Sequence, residues 1–264
     1  MINRANGEKK SCLWENAIGA SVGRRQHGQC GKSDSVGVII VAAGSANRMQ
    51  GVDKQMLLLG KMPVLFHSAM VFEKCAQVEE IVLVVRAEQV APVCQMVGEY
   101  GCTKVTAVTA GGDSRQRSVA LGLEKLSKGL SLIAVHDGAR PFVTQEEVQR
   151  CIGDAQRYGA AALGIAARDT LKKADSNNSI LHTVDRAGIF MIQTPQIFDA
   201  QLYYTAMAQA TEQGREYTDD CQLAESMGAT VHITPGSFLN LKITTPEDLT
   251  FAQAVAHCTG ILGE

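Results

Sequence analysis

Val36-Gly37-Val38-Ile39-Ile40-Val41-Ala42-Ala43-Gly44 opens a stretch, VGVIIVAAGSANRMQGVDKQ, that runs to Gln55 and sets the reading of the whole chain. The apolar run from Val36 to Val41 has the composition of a strand buried on both faces. It feeds a turn of small residues, Ala42, Ala43 and Gly44, whose backbone amides are able to approach a nucleotide closely and cradle phosphate. Arg48 and Lys54 follow, two cations placed where negative charge builds on a transferring phosphoryl group. Most Lys and Arg side chains are solvated surface cations. Directly after a buried strand and an Ala-Ala-Gly turn, this pair points instead to phosphoryl-type chemistry on a nucleoside triphosphate.

The composition narrows the class. The chain has 264 residues, of which 45% are hydrophobic and 20% charged, with a formal net charge of -2. One globular domain of that size buries a core without staples. The near-neutral balance gives no electrostatic case for nucleic acid or an anionic membrane as partner. No apolar run approaches the roughly 20 residues that span a bilayer. The eight cysteines are scattered, with no Cys-x-x-Cys pair and no histidine at ligand spacing. Neither a disulfide framework nor a zinc site is expected, and a reducing cytoplasm is.

Residues 1–34 read differently, as a disordered or non-native N-terminal extension ahead of a catalytic domain over 35–264. Gly31-Lys32-Ser33 imitates the end of a P-loop, but position 26 is Gln and no strand precedes it. From Val36 onward, strand-like runs at 36–42, 80–85, 104–109, 131–135, 160–166 and 229–234 alternate with helical patterns. Those patterns fall at 64–77, 87–98, 115–127, 145–158 and 247–257. The alternation predicts an α/β fold, a mostly parallel twisted sheet with helices on both faces. Ligands of such sheets bind beyond the carboxyl ends of the strands. The Ala-Ala-Gly turn, Gly111-Gly112-Asp113 and His136-Asp137-Gly138-Ala139-Arg140 all fall there. Residues 168–190 break the alternation with two strand-like stretches around Asp175-Ser176-Asn177-Asn178, which predicts a projecting β-arm. An arm without a core of its own packs on a partner, so a homodimer is expected.

Each motif carries a plain alternative. Asp137, at the end of an apolar run, is placed to hold Mg²⁺ through one carboxylate, or it caps a turn. Arg140 either grips phosphate or pairs with a neighbouring acid. Gly112, Asp113 and Ser118 suit a flat base, although Asp113 is equally a helix cap. Lys242, read as lying on a strand between Leu241 and Ile243, points toward the cleft and neutralises phosphate. His136 reads as a strand-end residue rather than a base.

Taken together, AAGSANRM, GGDSRQRSV, VHDGARPFV, RDTLK, HTVDR, QTPQIF, TDD and NLKITTPEDL resemble the 2-C-methyl-D-erythritol 4-phosphate cytidylyltransferase family of the non-mevalonate isoprenoid pathway, over roughly residues 36–258. The resemblance implies a Rossmann-like nucleotidyltransferase fold and transfer of the cytidylyl group of CTP with release of pyrophosphate. Under it, Arg48 and Lys54 stabilise the α-phosphorus, while Ala42, Ala43, Gly44, Gly112, Asp113 and Ser118 hold cytidine. Asp137 binds Mg²⁺. Arg140, Thr170, Arg186, Thr218 and Lys242, together with Asp137, hold the methylerythritol phosphate, with Arg186 and Lys242 aiming its nucleophilic oxygen. Thr170 and Arg186 come from the partner's arm.

Two features depart from the pattern. Ala46 stands where many relatives carry glycine, and the 34-residue extension has no usual counterpart. With the chain ending at Glu264, no fused second pathway enzyme is expected.

Rival readings are a ribitol-5-phosphate cytidylyltransferase, which would share the CTP half of the site, and a non-catalytic nucleotide-binding protein. Asp169-Thr170-Leu171-Lys172 and His182-Thr183-Val184-Asp185-Arg186 favour methylerythritol phosphate over the first. Four charged residues kept together, Arg48, Lys54, Asp137 and Lys242, disfavour the second. A nicotinamide oxidoreductase is disfavoured because the first loop lacks Gly-x-Gly-x-x-Gly, and Arg86 rather than an acid follows the second strand.

Overall fold

A computed structural model describes residues 35–44 and 55–261 of the chain. The extension over 1–34, Ala46, and the cations Arg48 and Lys54 lie outside the described residues.

A seven-stranded sheet forms the centre of the molecule, and its first strand is the apolar run read above, β1 (Val36–Val41). Parallel to it on one side lie β4 (Val78–Val85) and then β5 (Val105–Ala110); on the other lies β6 (Leu132–Asp137). Beyond β6 come β10 (Phe190–Asp199), β7 (Ala160–Ala166) and β11 (His232–Pro235), giving the order β11-β7-β10-β6-β1-β4-β5. The sheet is mostly parallel, as expected, with one exception. Strand β10 runs antiparallel to both β6 and β7.

Period-two alternation divides the core into two layers. Val36, Val38 and Ile40 face one side, where they pack with residues of α1 (Val64–Glu73), α2 (Val90–Glu99) and α4 (Gln145–Tyr158). Ile39 faces the other, among α3 (Arg115–Leu123), α5 (Ala200–Glu212) and α6 (Asp220–Glu225). A smaller cluster of Leu59, Val64, Phe142, Ile243, Ala252 and Ala256 seats α7 (Pro246–Cys258) beside a short hairpin, β2 (Leu58–Leu59) and β3 (Met62–Pro63). No helix among the described residues is long and apolar enough to cross a membrane.

Several boundaries differ from the reading of the sequence. α1 stops at Glu73 and α3 at Leu123, and a 3-10 turn over Ala87–Gln89 precedes α2. The N-cap of α3 is Ser114, whose hydroxyl accepts from Arg117 N at 3.1 Å, so Asp113 does not cap it. Lys242 lies in an irregular segment after β11 rather than on a strand. One backbone bond, Ile243 N to Ala139 O at 2.9 Å, ties that segment to the loop after β6 without forming a ladder.

The expected arm is present. β8 (Leu171–Ala174) and β9 (Ile180–Val184) pair antiparallel. Asp175 Oδ1 shapes their turn by accepting from the amides of Asn177 and Ser179, both at 2.9 Å. At the base, Ala167 N donates to Ile189 O, so the arm continues directly from β7 and β10.

Candidate active site

The parallel register brings the strand ends to one level: Val41 pairs with Val84 on one side and Asp137 on the other, and Val85 pairs with Ala110. The three loops read as a site therefore leave the sheet side by side. Ala42 N donates to Val84 O at 2.7 Å, Gly111 N to Val85 O at 2.8 Å, and Gly138 N to Val41 O at 2.9 Å. Ala42 is buried, Ala43 half-buried and Gly44 exposed, so the turn climbs from the core into the cleft.

The second loop is held against the first. Ser118 Oγ accepts from Gly112 N at 3.1 Å and donates to Ser114 O at 2.8 Å. A Cβ on Gly111 would stand 2.3 Å from Ala43 Cβ and 2.7 Å from Ser118 Oγ, so only glycine lets the two loops touch. Asp113 stands exposed beside this junction.

Asp137 carries the densest charge in the described structure. Its side chain is 11% exposed. Lys242 Nζ lies 2.9 Å and Arg140 Nε 3.4 Å from Oδ2, and Arg115 Nε lies 3.7 Å from Oδ1. Burial alone would raise the pKa of this carboxyl. The cations of Lys242, Arg115 and Arg140 outweigh it and hold the group well below the usual carboxylate range. Arg140 is anchored further by donating from Nη1 to Asn240 O at 2.8 Å.

Behind Asp137, Thr194 Oγ1 accepts from Asp137 N at 3.0 Å and stands 3.1 Å from His136 Nδ1. The threonine hydroxyl then donates to Nδ1, which places the imidazole proton on Nε2, 3.2 Å from Arg140 O. Burial pushes the His136 pKa down to about 4 against the pull of Asp137, so the ring is a neutral spacer and not a base.

Arg115 extends the charge network to a second carboxylate. Its Nη1 lies 2.7 Å from Asp220 Oδ2, and Asp220 Oδ1 accepts from the buried Tyr203 hydroxyl at 2.5 Å. Thr218, two residues earlier, is exposed and donates from its amide and hydroxyl to Gln222 Oε1 at 2.9 and 3.2 Å.

Asp137, Arg140 and Lys242 are thus brought into direct contact. Thr170 and Arg186 are not: both are exposed at the arm, where Arg186 Nη1 donates to Arg168 O. Among the described residues, no hydrogen bond or ion pair links them to the Asp137 cluster.

Residues 36–257 match the family model described as IspD, 2-C-methyl-D-erythritol 4-phosphate cytidylyltransferase. The chain belongs to this family. A relative of that name from Alkaliphilus metalliredigens is 38% identical over 227 residues, covering 85% of this chain and 94% of the relative. One from Caldanaerobacter subterraneus subsp. tengcongensis is 40% identical over 222 residues, covering 83% and 97%. Among solved structures, the 2-C-methyl-D-erythritol 4-phosphate cytidylyltransferase of Thermus thermophilus aligns with a TM-score of 0.71 at 33% identity, covering 84% of this chain and 99% of that one. The 4-diphosphocytidyl-2C-methyl-D-erythritol synthase of Anaerococcus prevotii aligns at 0.73 with 29% identity, covering 84% and 98%.

Within this IspD-family frame, the sequence reading left Arg115, Asp220 and Tyr203 out of the site. Arg115 sits beside the Gly-Gly-Asp motif and was legible there as a cation at a helix start. Tyr203 and Asp220 lie on α5 and α6, far along the chain from Asp137, and no spacing rule joins them to it.

As for a metal, no group of three or more His, Cys, Asp or Glu gathers among the described residues. Asp137 offers one carboxylate, with Oδ1 engaged only at 3.7 Å. A single carboxylate suits Mg²⁺, which keeps waters and takes substrate phosphate oxygens rather than a full protein cage.

Proposed function

We propose that the chain joins CTP to 2-C-methyl-D-erythritol 4-phosphate, releasing pyrophosphate and forming 4-diphosphocytidyl-2-C-methyl-D-erythritol. The observation that carries this is the cluster of Lys242, Arg140 and Arg115 on Asp137 at the strand ends, in a chain of the IspD family. A phosphate oxygen of the methylerythritol phosphate attacks the α-phosphorus of CTP as the α–β anhydride bond breaks. That oxygen is already anionic near neutral pH, so no general base is required. Catalysis is positioning together with electrostatic stabilisation of developing charge.

The roles are those that the family resemblance implies. Ala42, Ala43, Gly44, Gly112, Asp113 and Ser118 frame the cytidine at the junction of the first two loops. Arg48 and Lys54 stabilise charge on the α-phosphorus. Arg140, Thr218 and Lys242 hold the methylerythritol phosphate with Thr170 and Arg186, and Lys242 and Arg186 aim its attacking oxygen. Asp137 would hold Mg²⁺, which when bound neutralises triphosphate charge.

We place Thr170 and Arg186 in the neighbouring site of a homodimer. Ile180, Leu181, Ile189, Phe190 and Met191 are exposed along the arm and its base, apolar surface suited to a second copy. We place the chain in the cytoplasm, a reading supported by its scattered cysteines, free among the described residues.

The test is transfer of label from α-³²P-CTP in the presence of Mg²⁺ and 2-C-methyl-D-erythritol 4-phosphate. Label is expected to move into the alcohol-phosphate product, leaving unlabelled pyrophosphate. Label that stays in CTP, or leaves only as CMP, contradicts the proposal.

A further inference from the structure

Arg115 stands between two carboxylates and is shared unequally. Its Nη1 is 2.7 Å from Asp220 Oδ2, a close ion pair, whereas its Nε is 3.7 Å from Asp137 Oδ1, beyond hydrogen-bond range. The other oxygen of Asp137 is taken by Lys242 at 2.9 Å and Arg140 at 3.4 Å. Among the described residues, Oδ1 is therefore the open oxygen of the cluster.

Asp220 is itself fixed from several directions. Its side chain is 3% exposed. Oδ1 accepts from Tyr203 at 2.5 Å, and the Tyr203 ring is buried and stacked on Phe198 with centroids 5.0 Å apart. Gln196 Oε1 accepts from the amides of Asp220 and Cys221, both at 3.0 Å, and Gln196 Nε2 donates to Asp219 Oδ2 at 3.2 Å. The Tyr203 hydrogen bond holds the carboxylate, and Gln196 holds the backbone that carries it. A guanidinium offered one immobile anion and one already engaged by two cations settles on the first.

We propose that Asp220 is a positioning residue that holds the Arg115 guanidinium off Asp137, keeping one Asp137 oxygen open to the divalent cation that accompanies the CTP phosphates. The inference rests on the nucleotidyl-transfer reading above. Without the Asp220 charge, the carboxylate left to Arg115 among the described residues is Asp137, and the open oxygen closes. The bonds that shape the second loop, Gly112 N to Ser118 Oγ and Ser118 Oγ to Ser114 O, do not involve the Asp220 carboxylate.

Calorimetric titration of the full-length protein with CTP, without Mg²⁺ and at saturating Mg²⁺, reads this directly. In the wild type, Mg²⁺ is expected to tighten CTP binding. In Asp220→Asn, the factor by which Mg²⁺ tightens binding is expected to fall by about tenfold, within the usual range of site-to-site coupling, while metal-free affinity stays within about twofold. Tyr203→Phe retains the ring and its stacking and is expected to lower the factor in the same direction by less. In an Arg115→Gln background, adding Asp220→Asn is expected to change nothing further, because the effect passes through Arg115.

Equal loss of both affinities in Asp220→Asn would show a merely structural role and overturn the proposal. An unchanged factor in folded Asp220→Asn and Tyr203→Phe overturns the positioning role alone, leaving the nucleotidyl-transfer reading in place. A wild-type protein that binds no CTP in either condition, or binds it without help from Mg²⁺, overturns the proposal at its root.

Discussion

At the scale of single residues, the site is an arrangement of charges against which small residues are fitted. Gly111 is the sharpest case of fitting. An added methyl would meet both Ala43 and Ser118, so Gly111→Ala must push the first loop away from the second. We expect CTP binding in that variant to weaken by tenfold or more, about 1.4 kcal/mol, with little change in the melting temperature. Unaltered CTP affinity by calorimetry would contradict the role given to this junction.

His136 makes a different kind of prediction. Burial lowers its pKa from 6.5 to about 4 in the native state. Between those pH values the unfolded chain takes up a proton that the native ring refuses, so stability falls as pH falls through that window. The loss amounts to about 3 kcal/mol by pH 4. Urea unfolding from pH 7.5 down to 4 checks it, and a free energy that stays flat across that range would contradict it. Asp137, held low by its cations, adds a loss of the same sign below pH ~4.

The residue scale also shows how far a sequence reaches. Asp137, Arg140 and Lys242 were each legible as candidates from a strand end or a cation among apolar neighbours, and the structure joins them within hydrogen-bond or ion-pair distance. Asp220 was not legible as part of this cluster, because its link to Asp137 runs through Arg115, and that geometry exists only once the first residues of α3 and α6 meet in the fold.

At the scale of elements, β10 organises the site from behind, and it is the strand the sequence concealed. Gln193, Thr194, Pro195 and Gln196 interrupt its apolar pattern, so the segment does not read as a buried strand. Folded, those polar residues are the connections. Gln193 Nε2 donates to Ser237 O at 2.8 Å. Asn240 Nδ2, from the segment that carries Lys242, donates to Thr194 O at 3.0 Å. Gln196 binds the start of α6.

Replacing Gln196 by Ala leaves the buried amides of Asp220 and Cys221 without their acceptor. We expect a loss of about 1–3 kcal/mol in urea unfolding. A loss below a few tenths would mean that water replaces the side chain without cost. Elsewhere, the parallel strands declared themselves by long apolar runs, and the arm by its turn residues. Helix α5 was missed because its buried face is mostly Ala200, Ala206 and Ala210, residues too small to mark a helical stripe in a periodicity reading.

At the scale of the whole molecule, the arm is the element without an internal explanation. It projects beyond the sheet and leaves Ile180 and Leu181 at 65% and 57% exposure. In the proposed homodimer, a second copy that covers it would also deliver Thr170 and Arg186 to the neighbouring cleft. Mixing tests this sharing. Arg186→Ala and Lys242→Ala proteins, each impaired alone, should regain activity once subunits exchange. About half the dimers are then mixed, with one complete site in two, so about a quarter of wild-type turnover returns. No recovery after verified exchange would place Arg186 and Lys242 of one site on one chain.

The central claim concerns what the site joins to CTP, and pyrophosphate release measures it most directly. With CTP and Mg²⁺, the purified protein should release pyrophosphate on addition of 2-C-methyl-D-erythritol 4-phosphate and stay silent with ribitol 5-phosphate. Release with ribitol 5-phosphate alone, or with neither compound, would contradict the account.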